Sequence, residues 1–177
     1  LINRVLTPLS QSVLDSGGTI DKYIGDCIMA FWNAPLDDPD HPFNAARCTL
    51  EMQDKLNALN AQLDAEGFYQ QHKVKRIGVG IGLNSGPCVV GNMGSDQRFD
   101  YSALGDAVNL SARFQTLSSN YGSYIVVGED TEALIRDRFT LMPIDYISVK
   151  GRATPTNLYA LLGGPEAKDG AVYKSVH

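Results

Sequence analysis

The stretch Gly17–Trp32, GGTIDKYIGDCIMAFW, decides the fold prediction. Gly25 and Asp26 stand between two runs that are rich in apolar residues. Because a type II′ turn requires Gly at its first central position, the stretch predicts a β-hairpin with strands at Thr19–Ile24 and Cys27–Trp32. The apolar composition of the second strand predicts that it is buried on both faces. A carboxylate at the hairpin tip is either a turn residue or a ligand for a hard cation such as Mg²⁺.

The pattern of apolar residues on both sides of the hairpin predicts an α+β fold. Apolar residues at helical spacing before Gly17-Gly18 predict an amphipathic helix that ends at these glycines. Downstream, apolar spacing predicts helices at 43–65, 106–120 and 129–137, and strands at 74–83, 89–91, 98–103, 124–127, 144–150 and 157–162. This order predicts a single domain over residues 1–163 with a mixed sheet, followed by a loose tail at 164–177.

Composition excludes several classes of protein. The 177 residues are 44% hydrophobic and 20% charged, which is typical of a globular domain. No apolar run approaches the roughly 18 residues of a membrane span. The net charge of −5 and the absence of a basic run make a nucleic-acid partner unexpected. The three cysteines lack the spacing of a zinc or disulfide framework, so we expect buried free thiols in a reducing cytoplasm.

A second informative stretch is YSALGDAVNLSARF at residues 101–114. Gly105-Asp106 precedes a helical pattern, so Asp106 is predicted to be its N-cap. Asn109 and Arg113 are four residues apart and therefore share one helix face. They form either a solvated polar stripe or a pair that binds a ribose oxygen and a phosphate, since the Arg fork fits phosphate geometry.

Three other stretches have simple structural interpretations. GVGIGLNSG at 78–86 lacks the GK[ST] of a P-loop, so its glycines are predicted to allow close packing. The acidic and histidine side chains at 37–41 favour a loop and helix cap over a metal site. Lys150, before a Gly turn, is by itself a surface residue.

Four stretches in register resemble the catalytic domain of the class III nucleotide cyclases, the family of adenylate and guanylate cyclases. They cover nearly all of residues 1–162: GGTIDKYIGDCIMAFW, DHPFNAARCTLEM, GVGIGLNSGPCVVGNMGSDQRFDYSALGDAVNLSAR and VKGRATPTNLY. The resemblance implies a ferredoxin-like βαββαβ core with extra strands and helices. It also implies two Mg²⁺ or Mn²⁺ ions and a head-to-tail homodimer with shared active sites.

The resemblance assigns expected roles residue by residue. Asp26 falls on the second metal-binding Asp of the family. Lys22 and Ser102 fall on the two base-recognising positions, and this combination resembles the ATP-using subgroup that carries Thr or Ser at the second position. Asn109 and Arg113 fall on the pair that orients the ribose and stabilises the transition state. Lys150 falls on a position that reaches the terminal phosphates in some members.

One departure concerns the family's first metal-binding Asp, which lies in a strand upstream of the hairpin. The 25 residues before Asp26 contain no such motif. Neither Asp15, on the predicted helix, nor Asp21, on the first hairpin strand, is a natural substitute. The chain as given therefore lacks one metal ligand and is itself expected to be inactive; we favour a missing upstream segment over an incomplete copy.

The sequence thus predicts an adenylate cyclase that converts ATP to cyclic AMP and pyrophosphate in the cytoplasm. We expect no membrane contact from this segment, while a membrane or sensor domain could lie upstream. The alternatives are an inert dimerising or nucleotide-sensing module, which the missing metal Asp favours, and a guanylate cyclase that uses GTP. The related diguanylate cyclases are disfavoured, because their hairpin reads GG[DE]EF and this one reads IGDCI.

Overall fold

The described part of the chain contains five helices and eight strands. A computed structural model describes residues 1–95, 98–148 and 155–169. The helices are α1 (Ile2–Asp15), α2 (His41–Ala65), α3 (Phe68–His72), α4 (Asp106–Leu117) and α5 (Glu129–Ile135). The strands are β1 (Thr19–Ile24), β2 (Cys27–Phe31), β3 (Ile81–Leu83), β4 (Val89–Ser95), β5 (Arg98–Leu104), β6 (Ile125–Gly128), β7 (Thr140–Ile147) and β8 (Thr156–Gly163). A 3₁₀ helix follows at Pro165–Asp169.

The chain divides into two compact units. The first comprises Leu1–Val79 and Asn92–Ser102, and the second comprises Gly80–Gly91 and Ala103–His177. The hydrogen-bonded neighbours β4 and β5 each contribute residues to both units. The prediction of one domain over 1–163 therefore stays a prediction.

In the first unit, α1 packs on α2 and on the antiparallel β1–β2 hairpin. A local core forms where Leu59 and Leu63 of α2 meet Tyr69 of α3. The predicted glycine stop after α1 is confirmed, since Gly17 has a φ of +77°. Close packing explains the glycine at position 18, because a Cβ on Gly18 would lie 2.7 Å from the Trp32 ring.

In the second unit, a four-stranded mixed sheet has the order β3-β6-β8-β7. β3 is parallel to β6, whereas β8 is antiparallel to both β6 and β7. Helix α4 packs on β3 and β6, and its buried Leu110 and Phe114 meet Val126 and Leu158 in one cluster. The α+β prediction with antiparallel and mixed sheets is confirmed.

The structure corrects the predicted strand at 74–83, because only Ile81–Leu83 is a strand. Asn60 of α2 explains part of the difference. Its Nδ2 donates to the carbonyl of Ile77 at 2.9 Å, and its Oδ1 accepts from the Ile77 amide at 3.1 Å. A side chain thereby satisfies both backbone groups that a ladder would otherwise pair. Helix α3, which the sequence did not predict, lies between α2 and this segment.

Two further expectations differ from the structure. β2 is only partly buried, because among the described residues it pairs with β1 alone in a two-stranded sheet. Of the cysteines, Cys48 is buried but Cys27 and Cys88 are exposed, and all three are free thiols. The loose tail expected at 164–177 stays a prediction, since residues 170–177 lie outside the described residues. Its described part contains the 3₁₀ helix at Pro165–Asp169, and Thr140 Oγ1 donates to the Gly164 carbonyl at 2.7 Å.

Candidate active site

The β1–β2 hairpin presents Asp26 at an exposed turn. Ile24 pairs with Cys27, which leaves Gly25 and Asp26 as a two-residue connection. Gly25 has a φ of +64°, whereas Asp26 is not among the residues with positive φ. This combination fits the predicted type II′ turn, in which only the first central residue needs positive φ. The turn therefore presents the carboxylate of Asp26 to solvent.

Cys27 follows Asp26 in the sequence, and the Asp26 carboxylate affects the pKa of its thiol. Although Cys27 is exposed as a residue, partial burial of its thiol raises the pKa, and the negative charge of Asp26 raises it further. Both effects disfavour the thiolate. Cys27 is therefore suited to a neutral role beside the hairpin tip rather than to nucleophilic chemistry.

Strand β1 contains a bulge at Asp21. Ile20 pairs with Ala30 and Lys22 pairs with Met29, so Asp21 has no residue of its own across the hairpin. In a regular strand, consecutive side chains point to opposite faces. A bulge interrupts this alternation and re-aims side chains. Accordingly, the Lys22 ammonium reaches the carboxylate of its own neighbour, with 3.2 Å between Nζ and Asp21 Oδ1.

Asp21 also joins β1 to β5. The Ser102 hydroxyl donates to Asp21 Oδ2 at 2.6 Å. The Asp21 side chain is fully buried and Ser102 is only 3% exposed, whereas the Lys22 side chain is 42% exposed. A short hydrogen bond to a buried carboxylate is among the stronger ones in proteins. We call Asp21, Lys22 and Ser102 the polar cluster.

Asp26 can supply one ligand of a metal site. Mg²⁺ is often held by one or two carboxylates together with phosphate oxygens. The exposed carboxylate of Asp26 fits such a ligand. Over residues 1–95, 98–148 and 155–169, no group of three or more His, Cys, Asp or Glu side chains forms a ready metal site. Asp26 by itself offers one carboxylate of the kind that Mg²⁺ takes as a ligand.

Helix α4 carries the other candidate pair. Asn109 and Arg113 are both exposed, while Ala107, Leu110 and Phe114 on the opposite face are buried. The predicted division of this helix into a polar and an apolar face is thus confirmed. Asn109 and Arg113 therefore lie on the exposed face of a helix whose other face is packed.

Close packing against β3 positions α4. A Cβ on Gly82 would overlap the Ser111 carbonyl oxygen and the Gln115 amide nitrogen of α4. Ser111 Oγ donates to the Gly82 carbonyl at 3.0 Å, and Asn84 Nδ2 donates to the Ala107 carbonyl at 3.1 Å. The interpretation of the glycine alternation as a packing feature is confirmed.

The start of α4 corrects one prediction. Gly105, not Asp106, is the N-cap, and no side-chain hydrogen bond caps the helix. A Cβ at Gly105 would lie 2.9 Å from the Pro87 carbonyl oxygen, so the close approach of this loop favours glycine. Asp106 instead occupies the first turn, where its negative charge is favourable beside the helix N-terminus.

The acidic loop before α2 has a structural role. Asp38 accepts hydrogen bonds from the Asp40 amide at 3.0 Å and from Asn44 Nδ2 at 2.9 Å. The Asp38 carbonyl lies 2.8 Å from His41 Nδ1. These contacts organise the loop before α2, as predicted. The predicted helix cap differs, because Asp40 is the N-cap residue of α2 but its side chain makes no capping hydrogen bond.

Two sequence-based assignments have different outcomes. Lys150 lies outside the described residues. Asp15 is exposed at the end of α1 and accepts a hydrogen bond from Gln11 at 2.8 Å. Sequence reasoning considered Asp21 only as a metal ligand and missed its contact with Ser102. A bulge leaves no signature in residue types, although an acid directly before Lys22 was the available signal.

No helix in the described part of the chain is both long and apolar enough to span a membrane.

Comparison with known proteins assigns the family. Residues 11–163 match the family model of the adenylate and guanylate cyclase catalytic domain. The chain is 31% identical over 163 residues to adenylate cyclase 1 of Rhizobium meliloti, covering 92% of this chain and 24% of that protein. It is 33% identical over 164 residues to an adenylate cyclase of Anabaena cylindrica, covering 89% of this chain and 31% of that protein. The chain thus spans less than a third of the length of each of these curated relatives.

Solved structures give the same assignment. The adenylyl cyclase CyaB from P. aeruginosa is 30% identical, with a TM-score of 0.78 over 90% of this chain and 79% of that one. The guanylyl cyclase Cya2 is 29% identical, with a TM-score of 0.79 over 93% of this chain and 80% of that one. The α+β fold is thus the class III cyclase fold, and the chain belongs to the family of adenylate and guanylate cyclase catalytic domains.

Proposed function

We propose that this chain is the catalytic domain of an adenylate cyclase that converts ATP to cyclic AMP and pyrophosphate for signalling in the cytoplasm. The observation that carries the proposal is the polar cluster. In it, the two positions expected to recognise the base, Lys22 and Ser102, contact the same carboxylate of Asp21. A lysine ammonium has only donors, which suits the acceptor N1 of adenine. The curated relatives named as adenylate cyclases support the same substrate.

The reaction is an intramolecular transfer. The ribose 3′ oxygen attacks the α-phosphorus of its own nucleotide, the bond to the bridging oxygen of the β-phosphate breaks, and pyrophosphate leaves. The 3′ proton is released to solvent. Two bound Mg²⁺ or Mn²⁺ ions would supply Lewis-acid stabilisation of the charged phosphates. Asp26 would hold one protein-derived coordination position.

The exposed pair on α4 would complete the site. Asn109 would orient the ribose, and Arg113 would place its guanidinium where negative charge builds up on the transferring phosphate. Such groups act by being positioned before the reaction, and the packing of α4 on β3 provides a fixed support for both.

We further propose a head-to-tail homodimer in which each site takes Lys22, Asp26 and Ser102 from one subunit and Asn109 and Arg113 from the other. An isologous dimer then has two equivalent sites. The two sets belong to different compact units of the chain, which is compatible with sharing between subunits.

GTP is the alternative substrate. The guanylyl cyclase and the adenylyl cyclase structures resemble this chain equally well, so backbone likeness does not discriminate between the bases. The Lys22 side chain discriminates between the bases, because guanine presents a donor N–H at the position where adenine N1 is an acceptor. Lys22→Glu should lower the ratio of ATP to GTP turnover by roughly tenfold to a hundredfold. A ratio unchanged by this substitution would contradict the base assignment, and Lys22→Met serves as the charge-neutral control.

The deciding experiment is a cyclisation assay of the full-length protein with ATP and GTP in parallel, in Mn²⁺ and in Mg²⁺. We expect cyclic AMP from ATP and little cyclic GMP. A folded dimer that gives neither product would instead support the inert regulatory module.

Mixed dimers test the shared site. Asp26→Asn and Arg113→Ala should each lose nearly all ATP turnover. After subunit exchange, half of the dimers are mixed and each has one intact site of two, so about one quarter of the wild-type activity should return. Asp26→Asn mixed with Lys22→Glu is the matched control. Both changes fall in the same half of the site, so mixing should add no ATP turnover to that of Lys22→Glu alone.

A further inference from the structure

The Ser102 hydroxyl donates its one hydrogen to Asp21. A serine hydroxyl has one hydrogen to donate and two lone pairs, whereas a carboxylate only accepts. With 2.6 Å between Ser102 Oγ and Asp21 Oδ2, the hydrogen points to Asp21. The oxygen of Ser102 can then offer only lone pairs to a third group.

This direction matters for the choice of purine. Adenine carries an amino donor at position 6, whereas guanine carries a carbonyl acceptor there. A hydroxyl that only accepts can bind the amino group, but it repels the carbonyl oxygen. A freely rotating hydroxyl would bind either base equally well.

We propose that Asp21 is a positioning residue for substrate specificity: it holds the Ser102 hydroxyl as an acceptor and thereby makes the base site select 6-amino over 6-oxo purines. The inference rests on the proposed base-recognising role of Lys22 and Ser102, and it assigns to Asp21 a task that neither residue performs alone.

The surroundings of Asp21 suit this task. Its side chain is fully buried, and the bulge in β1 directs Lys22 Nζ to its other oxygen, Oδ1, at 3.2 Å. The two carboxylate oxygens therefore face different partners: one faces a group with donors only, and the other faces Ser102. The Lys22 side chain itself is 42% exposed.

These contacts make the effect of Asp21→Asn specific. The Asn oxygen should face the Lys22 ammonium, because Lys22 has no acceptor to offer. The Asn amide then faces Ser102 and donates to it. The Ser102 hydrogen is freed to rotate towards the base, where it can donate to the 6-oxo group of guanine.

The contact could instead have only a structural role, tying β5 to β1. In that case Asp21→Asn would weaken the binding of both nucleotides equally. The ratio of the two dissociation constants separates the two roles, because a general loosening of the fold cannot change it.

The test measures binding of 3′-deoxy-ATP and 3′-deoxy-GTP by calorimetry in Mn²⁺ with the full-length protein. These nucleotides lack the attacking hydroxyl, so the measurement does not depend on turnover. We expect the preference of the wild type for the adenine nucleotide to fall by about tenfold in Asp21→Asn. Asp15→Asn, a matched change at an exposed carboxylate, should leave the ratio unchanged.

The outcomes separate the two proposals. A wild-type preference for adenine that persists unchanged in Asp21→Asn overturns the role of Asp21 and leaves the adenylate cyclase proposal standing. A wild type that binds neither nucleotide, or prefers guanine, overturns both.

A second measurement needs no variant and covers the case in which Asp21→Asn does not fold. Triphosphates of 6-methoxypurine and 6-ethylpurine ribosides have substituents of nearly equal size, but only the methoxy group has an oxygen acceptor. If Ser102 only accepts, the methoxy compound should bind no tighter than the ethyl compound. Tighter binding of the methoxy compound would show a donating hydroxyl and would overturn the inference.

Discussion

The polar cluster and the exposed pair on α4 differ in how the protein holds them. Asp21 and Ser102 are buried and bound to each other, while Asn109 and Arg113 lie exposed on a helix whose opposite face is packed. The first set is organised by its own polar contacts. The second set depends on the support beneath it. A substitution in the cluster should therefore change specificity, whereas a substitution under α4 should change stability and activity together.

The largest expected effect is at the support of α4. Phe114 is fully buried in a cluster with Leu110, Val126 and Leu158. Phe114→Ala should lower the free energy of unfolding by about 3–5 kcal/mol, because it leaves a cavity. Denaturant titration measures this loss. The exposed Leu134 provides the control, since Leu134→Ala should change stability by less than about 0.5 kcal/mol.

The exposed face of the same helix should behave in the opposite way. Arg113→Ala should lower kcat by roughly 10²–10³-fold, because it removes a group that stabilises charge in the transition state. Its melting temperature should stay at the wild-type value. Gln115→Ala, also exposed on α4, is the control for helix propensity. A large fall in the melting temperature of Arg113→Ala would break the contrast between the two faces.

A smaller effect is expected where α4 meets β3. A Cβ on Gly82 would overlap backbone atoms of α4 at Ser111 and Gln115. Gly82→Ala should therefore cost about 1–3 kcal/mol of stability, because the helix must move away from the strand. Gly91 has open space around its Cβ position, so Gly91→Ala should be tolerated. Equal losses in both variants would contradict close packing against α4 as the cause, because a Cβ at Gly91 meets no such contact.

The smallest effect is a pH dependence at Tyr121, which is not one of the candidate site residues. The hydrogen bond that Tyr121 donates to Asp145 raises the pKa of Tyr121 to about 12 from its ordinary value of 10.0. Because the folded state holds this proton more tightly, the stabilisation is present below pH 10 and is lost as pH rises towards about 12. Tyr121→Phe should remove this part of the alkaline decline in melting temperature. An identical alkaline decline in the variant would contradict it.

The sequence predicted the hairpin, the helices around it and the two faces of α4, because turn chemistry and apolar periodicity are local signals. The predicted strand before Ile81 was too long, because its true start depends on a non-local contact. The Asn60 side chain, which is distant in sequence, makes hydrogen bonds to the backbone of Ile77. Resemblance supplied the candidate residues, but the contact between Asp21 and Ser102 spans 81 positions and depends on tertiary pairing. Within β1, the acid directly before Lys22 is the only local signal, and it does not identify Ser102 as the partner.

The bulge in β1 also bears on how such a site arises in evolution. Its extra residue is a difference in length, and substitutions alone cannot add or remove a residue. Deletion of one residue before Asp21 would restore the regular alternation of side chains along β1. Asp21 and Lys22 would then lie on opposite faces, although the composition of the hairpin would be almost unchanged. The mutational step that creates or abolishes this arrangement is therefore an insertion or deletion, and relatives of this chain should be aligned with a gap allowed at Asp21.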